Sequence, residues 1–477
     1  MNSRTRKYIV VAVAGVIALL VLAILAALFW FGREAEKTYG AMLDRLSGSD
    51  GLQLVGKNYQ RGWLSSTAVT AIRHPQIPFE LIARHQIDHG PFPLNRILKG
   101  EWQFTPVQAQ ITSQIFLAAP GTENALAMPP LTAEIGFRLN GGGNVHMEYP
   151  PVKKTDTPGL IVDWGGVNGD MTFDREWKKF RFAMHMPALA LAVPAGPGDL
   201  TMSKVSLRSD MQQGATGYFL GEGALTVGLI EFGKASERVN LQGLEIFSSA
   251  QPAGENVNLV IRYQFDALRV AQENFGPGQL ALEVRHLDVA ALMKFKKELD
   301  AISQGKLPES QGAMMVTGKT LTLIGVLAKN APELEITRLS FKAREGEISG
   351  KAKFILDGRR RNVTQSPMQL LTMVSGDLEL VIPEPVLKRL LTPVIRKDIE
   401  TYRQHGALSA DELAKLDAQS LAAIVDRVFP QYLTQNEFTR LLTEDKGLYK
   451  LILSIRRGEL LINGKPWHLP NRVALTP

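Results

Sequence analysis

The chain has 477 residues, no cysteine, and 54 Lys+Arg against 47 Asp+Glu, a formal net charge of +7. Without cysteine it can hold neither a disulfide nor a thiolate metal site, so it must fold on its apolar core alone, and its length allows one large or two to three ordinary domains. Setting aside Arg4, Arg6 and Lys7 leaves 51 basic residues against 47 acidic ones. That near balance excludes a body built to bind nucleic acid.

Residues 1–8 read as a short basic N-terminus, and Ile9 to Phe31 follow as 23 positions without a charge. A helix of that length reaches roughly 35 Å, enough to cross a bilayer's hydrocarbon core of about 30 Å. The basic flank keeps the N-terminus cytoplasmic and sends everything after Arg33 outside. A cleaved secretory signal is the competing reading. Its apolar core is shorter and ends at a small-x-small site, whereas this one closes on Leu28, Phe29, Trp30 and Phe31, residues suited to a membrane interface. The expectation is an uncleaved, single-pass inner-membrane anchor with a periplasmic body.

Residues 32–50 form a membrane-proximal helix and linker, with Ala35, Tyr39, Met42, Leu43 and Leu46 at helical spacing before Ser47-Gly48-Ser49. The exported body, residues 51–383, alternates apolar and polar residues from Gln53 to about Val284 and again from Ala313 to Leu356, as half-buried antiparallel strands do. Clear examples are Thr201 to Leu207, Val257 to Phe265 and Leu334 to Phe341. Four strands change phase midway, taking a step of three where two is regular. They are Leu200, Met202, Val205, Leu207; Val239, Leu241, Leu244, Ile246; Leu282, Val284, Leu287, Val289; and Leu334, Ile336, Leu339, Phe341. Such a shift predicts a bulge that bends the sheet and returns the apolar side chains to one face. The starts are irregularly spaced, so the pattern is a loose repeat at most.

Helical spacing returns over Val289 to Ile302 and in the C-terminal region 384–477, from near Pro385 to about Ile455. A Ser409-x-x-Glu412 capping box predicts one helix start, Pro430 predicts a break after Val428 and Phe429, and Asn463-Gly464 predicts a final hairpin over Gly458 to Lys465. The clusters Arg359-Arg360-Arg361 and Arg456-Arg457 read as solvated turns or helix ends, with anionic head groups as the alternative. Gly141-Gly142-Gly143 and Gly276-Pro277-Gly278 read as turns. The fold class expected is α+β, an N-terminal transmembrane helix followed by a large curved antiparallel body and a helical C-terminal region.

Three motifs carry a resemblance: Tyr59-Gln60-Arg61-Gly62-Trp63-Leu64-Ser65-Ser66, His89-Gly90-Pro91-Phe92 and Ile462-Asn463-Gly464-Lys465-Pro466. Together they resemble the YdgA-like family, bacterial envelope proteins of unknown function. The resemblance implies an inner-membrane anchor and an exported β-rich body, and it brings no catalytic residues. In strand texture alone the chain also resembles AsmA-like envelope proteins, whose curved sheets are associated with lipid handling.

Read physically, Gly62 allows a tight turn, Trp63 supplies a large buried anchor beside it, and Arg61 pairs with a carboxylate or caps carbonyls. Ser65 and Ser66 lack a nucleophile elbow and an assignable base, so a structural role is expected. His85 and His89 have the i, i+4 spacing of a helical metal pair, but the local pattern is extended and no third ligand is evident. No phosphate loop, zinc-protease or dinucleotide motif occurs. No catalytic, cofactor or metal site is therefore assigned, and the chain is read as not an enzyme. Two function classes remain. In one, an apolar groove faced by Leu241, Leu244, Leu282 and Leu339 binds or passes a lipid or other amphiphile; in the other, the anchored body is a scaffold for itself or another envelope protein.

Overall fold

The structure, a computed structural model, describes residues 30–41, 43, 53–74, 79–102, 105–119, 128–155, 160–192, 198–215, 217–234, 238–270, 273–304, 309–359, 372–404, 418–435, 438–456 and 458–467. No helix among the described residues is long and apolar enough to cross a membrane. The Ile9–Phe31 segment lies outside them except for Trp30 and Phe31, and the Ser409 capping box lies outside entirely. The chain is β-rich and antiparallel with a few helices, and it divides into two compact units at Gln212/Gln213.

In the first unit a helix over residues 30–41 (α1) precedes strands β1 (Gln53–Arg61), β2 (Ser65–Arg73) and β3 (Glu80–His89), a short helix α2 (Leu94–Leu98), and β4 (Val107–Ala118) to β6 (Gly143–Tyr149) through β5 (Leu131–Arg138). A hairpin of β7 (Val152–Thr155) and β8 (Ile161–Trp164) leads to β9 (Val167–Phe173), β10 (Lys179–Ala192) and β11 (Asp199–Gln213). Pairing runs β1-β2-β3-β4-β5-β6-β9-β10-β11, with β8 added along β10.

The register has a consequence for the site. Arg61 lies opposite Ser66, His89 opposite Ala109, Val107 opposite Arg138, Gly143 opposite Phe173, and Lys179 opposite Gln212. The turns 62–64, 90–102, 139–142 and 174–178 therefore stand side by side at one end of the sheet, the near end. Helix α1 lies on one sheet face. Its buried positions Ala35, Tyr39 and Leu43 join Ala68, Ile87, Ala109, Ile111, Phe137 and Phe173 in one core, as their helical spacing led us to expect.

In the second unit β12 (Phe219–Gly233) pairs with β13 (Val239–Ala253), which pairs with β14 (Asn256–Phe265) and β15 (Ala267–Val270) in turn. Then come β16 (Glu273–Leu287), helices α3 (Val289–Gln304) and α4 (Glu309–Lys329), β17 (Glu333–Ala343), β18 (Gly346–Leu356) and β19 (Val374–Pro383). Helices α5 (Glu384–Gln404) and α6 (Ala418–Gln435), a 3-10 turn (Thr439–Leu441), β20 (Thr443–Asp445), β21 (Leu448–Arg456) and the hairpin β22 (Glu459–Ile462) to β23 (Lys465–Pro466) complete it. Ile382, Val386, Leu387, Leu391, Ile395, Val425, Phe429 and Tyr449 form its core, joining α5 and α6 to β19 and β21.

Two of the four predicted phase shifts, in β16 and β17, are register shifts of the ladder; in β11 and β13 a residue of positive φ marks the step, but β11 keeps its register with β10 and β13 keeps its register with β12, so no bulge is formed there. In β11, Lys204 has φ 53° between the paired residues Ser203 and Val205. In β13, Gly243 has φ 65° where the partner changes from β15 to β14. The register shifts at His286 in β16, where Asn258 accepts from the His286 N–H at 3.0 Å, and between Ile336 and Leu339 in β17. In β16 and β17 an extra residue in one strand moves the apolar set back onto its face.

Other expectations are corrected. Residues 309–329 are a helix, not strand. Their Gly and β-branched residues imitate strand texture, yet Thr317, Thr320 and Thr322 donate to the carbonyls of Ala313, Val316 and Gly318 at 2.8–2.9 Å, satisfying their hydroxyls within the helix. Pro430 does not end α6. The carbonyl that loses its donor belongs to exposed Asp426, and the buried Val425 and Phe429 hold the helix across it. Gly276-Pro277-Gly278 sits inside β16, at a register shift between Phe275 and Gly278. Arg359 pairs with Asp357 at 2.8 Å and Arg456 with Asp377 at 2.7 Å; Arg360, Arg361 and Arg457 lie outside the described residues.

Candidate functional site

Two of the three motifs meet at the near end of the first unit. A Cβ at Gly62 would overlap the Ser65 carbonyl oxygen, so only glycine permits the turn that carries β1 into β2. That turn aims the Trp63 carbonyl at His89, whose Nδ1 donates to it at 3.1 Å, while the His89 N–H donates to Leu64 O at 3.1 Å. With Nδ1 protonated, Nε2 accepts from Ser66 Oγ at 2.8 Å. Beyond it, Gly90 N donates to Gln108 O and Val107 N to Pro91 O, each at 2.9 Å, closing the corner between β3 and β4. Trp63 itself is 68 % exposed, which corrects its reading as a buried anchor: the motif uses its backbone and leaves the indole outside. Ser65 is a half-buried ladder residue opposite Asp88.

The same corner seats α1. Gly32 lies against the His89 ring, and a Cβ there would come within 2.6 Å of Cε1. Arg61 reaches Glu36 at 3.4 Å, and Gln108 donates to Thr38 at 3.4 Å. One turn of helix further along, the Tyr39 hydroxyl hydrogen-bonds Thr70, and its ring meets His85 edge-on at 5.3 Å. His85 Nδ1 contacts Ser113 Oγ at 2.7 Å and Nε2 contacts Thr70 Oγ1 at 3.4 Å. Burial pushes the His85 pKa down to about 4, lowers that of His89, and raises those of Tyr39 and Tyr59. The Tyr59 hydroxyl is buried without a hydrogen bond of good geometry, though Ser66 opposes its rise.

Ser66 and His89 thus make the contact of a nucleophile with its base, a pairing invisible in sequence because Ser66 and His89 meet only through the register. The dyad is closed off, however: Ser66 is 2 % exposed and His89 0 %, with Gly32 laid over the ring. Ser66→Ala is expected to cost about 1 to 3 kcal/mol, by leaving a buried imidazole nitrogen without its donor. A fluorophosphonate probe is expected to leave the wild-type serine unlabelled; labelling that disappears in Ser66→Ala would assign chemistry to the pair.

Beside this corner lies a groove of about 660 Å³, open on one side, between α1 and the turns at the near end. Trp30, Phe31, Thr38 and Ala41 line it from the helix, and Phe137, Leu139 and Trp177 from the sheet. Its aromatic floor is built in steps. Phe137 meets Phe173 edge-on at 5.7 Å, and Trp177 stacks on Phe173 at 3.9 Å. Asp174 accepts the backbone N–H groups of Lys178 and Lys179 at 2.7 and 3.2 Å, fixing the turn that presents Trp177. Arg175 lies across Gly141 at the rim, where a Cβ on the glycine would stand 2.6 Å from its Cγ. Leu241, Leu244, Leu282 and Leu339, expected to face a groove, are half-buried in the second unit and do not line this one.

The third motif is separate. Asn463 and Gly464, at φ 48° and 77°, make the two-residue turn between β22 and β23. Asn463 Oδ1 accepts from Ile452 N at 2.7 Å, and Nδ2 donates to Leu441 O at 2.6 Å and Thr443 Oγ1 at 2.7 Å, so one side chain ties three segments.

Among known proteins, residues 6–470 match a family described as "Bacterial protein of unknown function (DUF945)". The chain belongs to the DUF945 family. It is 22 % identical to Protein YdgA of Escherichia coli (strain K12), over 91 % of this chain and 88 % of that protein. No solved structure matches. In this DUF945 chain, then, Arg61 to Ser66 and His89 to Pro91 form one clamp on α1, and Asn463-Gly464 forms a second, independent pin. Among the described residues no group of three His, Asp or Glu is placed to hold a metal.

Proposed function

We propose that this protein is a non-enzymatic, inner-membrane-anchored envelope protein with a periplasmic body, whose groove beside α1 binds the apolar part of a lipid or other amphiphile. The observation that carries the reading is the groove itself. Its volume of about 660 Å³ falls in the range of roughly 300 to 1,000 Å³ typical of small-molecule sites, and its lining combines the apolar Trp30, Phe31, Phe137, Leu139 and Trp177 with the polar Glu34, Thr38, Gln108, Asn140 and Arg175. It also opens where the uncharged segment Ile9–Phe31 joins α1. A ligand leaving a bilayer along that helix would meet the groove first.

The test fills the groove from an exposed helix position. Ala41 lines it and is exposed, so Ala41→Trp should leave the melting temperature unchanged while occupying the space. Mass spectrometry of small molecules retained by the purified full chain is expected to find an amphiphile, reduced several-fold in Ala41→Trp. A wild-type protein that carries none would sink the reading. The scaffold reading would then stand on Leu390 and Val394, exposed by 45 % and 47 % and one turn apart on α5.

A further inference from the structure

The five most exposed large apolar side chains among the described residues of the first unit are Trp30, Trp63, Leu98, Trp102 and Leu139, at 53–78 %. The next, Val55, is at 45 %. All five lie at one place. The register puts the turns that carry Trp63, Leu98, Trp102 and Leu139 at the near end of the sheet, and the contact of Gly32 with His89 brings the start of α1, with Trp30, to the same end.

These exposures are imposed by the fold. Asn95 donates to Asp88 at 2.7 Å, and Arg96 bridges Asp88 and Glu101 at 3.6 and 3.2 Å, so the α2 corner is bolted to the sheet with Leu98 turned outward. Exposed cations surround the apolar residues. Among the described residues Lys99, Arg138 and Arg175 have no carboxylate within ion-pair distance, whereas Glu101 and Glu176 are taken up by Arg96 and Lys178. Tryptophan and leucine ringed by unpaired cations match the boundary between acyl chains and anionic phosphate.

From this juxtaposition we infer that the near end of the first unit docks on the bilayer surface, with Trp63, Leu98 and Trp102 at the level of the lipid head groups and the unpaired cations against their phosphates. The occupant is argued from continuity: the 23-residue uncharged segment ends at Phe31, at this end of the sheet, so the membrane it would span lies directly against these turns. The inference rests on reading Ile9–Phe31 as an anchor, and is independent of what the groove binds.

The absence of native cysteine makes the test direct. Single substitutions Trp63→Cys, Leu98→Cys and Trp102→Cys, with Leu117→Cys at the far end as control, would be spin-labelled in the full chain reconstituted into vesicles of phosphatidylethanolamine and phosphatidylglycerol. Labels at the three near-end sites should be several-fold more accessible to oxygen, relative to a water-soluble nickel chelate, than the label at Leu117. Water-like accessibility at all three in protein that floats with the vesicles would overturn docking and leave the anchor standing. Protein that does not float would overturn both. Spin–spin broadening between copies at Trp63 or Trp102 would assign the surface to a second copy of the chain and overturn the bilayer as its occupant, and lipid-like accessibility at Leu117 as well would remove the orientation.

Discussion

Gly90→Ala is expected to unfold the first unit. The added Cβ would overlap the Val107 carbonyl oxygen and stand 2.8 Å from that of Gln108, and both obstacles are backbone. A side chain could swing aside; these carbonyls cannot, because Gly90 N is bonded to Gln108 O at 2.9 Å and Val107 N to Pro91 O at 2.9 Å. Relief requires opening the corner that holds His89 against Gly32. The expected loss is at least about 3 kcal/mol, the upper end of the range for overpacked sites. Denaturant unfolding followed by tryptophan fluorescence measures it. Gly312→Ala serves as the control, since nothing lies within 4 Å of its Cβ and α4 should gain up to about 1 kcal/mol. A Gly90→Ala chain as stable as wild type would mean the corner is not built this way.

Acidification is expected to weaken the same unit well above the pH at which most carboxylates titrate. Burial holds the His85 pKa at about 4 in the folded chain, against 6.5 as the ordinary value. The unfolded chain takes up that proton near pH 6.5 and the folded chain only near pH 4. Across that window the unfolded state binds more protons, so stability falls as pH falls, and below about pH 4 this residue adds no further slope. Completed, the loss amounts to roughly 3 kcal/mol. His89 shifts in the same direction through burial, and adds with the same sign. Around His85 the polar neighbours are the hydroxyls of Tyr39, Thr70 and Ser113, which cannot neutralise an imidazolium. Urea midpoints between pH 7 and pH 4 should fall more steeply in wild type than in His85→Gln. Equal slopes would show that His85 does not carry the effect.

Much of the fold was legible because strands report their faces. Alternation located β11, β14 and β17, and the step of three located bulges at His286 and Ile336–Leu339, where a residue added to one strand must flip the apolar phase or be answered by the sequence; at Lys204 and Gly243 it marked residues of positive φ without a change of register. The turn at Asn463-Gly464 was legible for a similar local reason, two consecutive positive φ angles that few other residue pairs adopt. Helix α4 was not. Its threonines and glycines favour strand texture, and tertiary context, the packing of α4 against α3, overrides so weak a local preference.

The site divides along the same line. By itself the sequence determined that Ile9–Phe31 is uncharged and long enough to span, that Ala35, Tyr39 and Leu43 make one helix face, and that Gly62 marks a tight turn. Trp63 was misjudged because burial is a property of the neighbours a turn meets, and this turn meets solvent. The contact of Ser66 with His89, the seat of Gly32 on that ring and the groove between Ala41, Leu139 and Trp177 were decided by tertiary structure alone. Each joins segments tens of residues apart, and no local periodicity records which strands will pair or in what register.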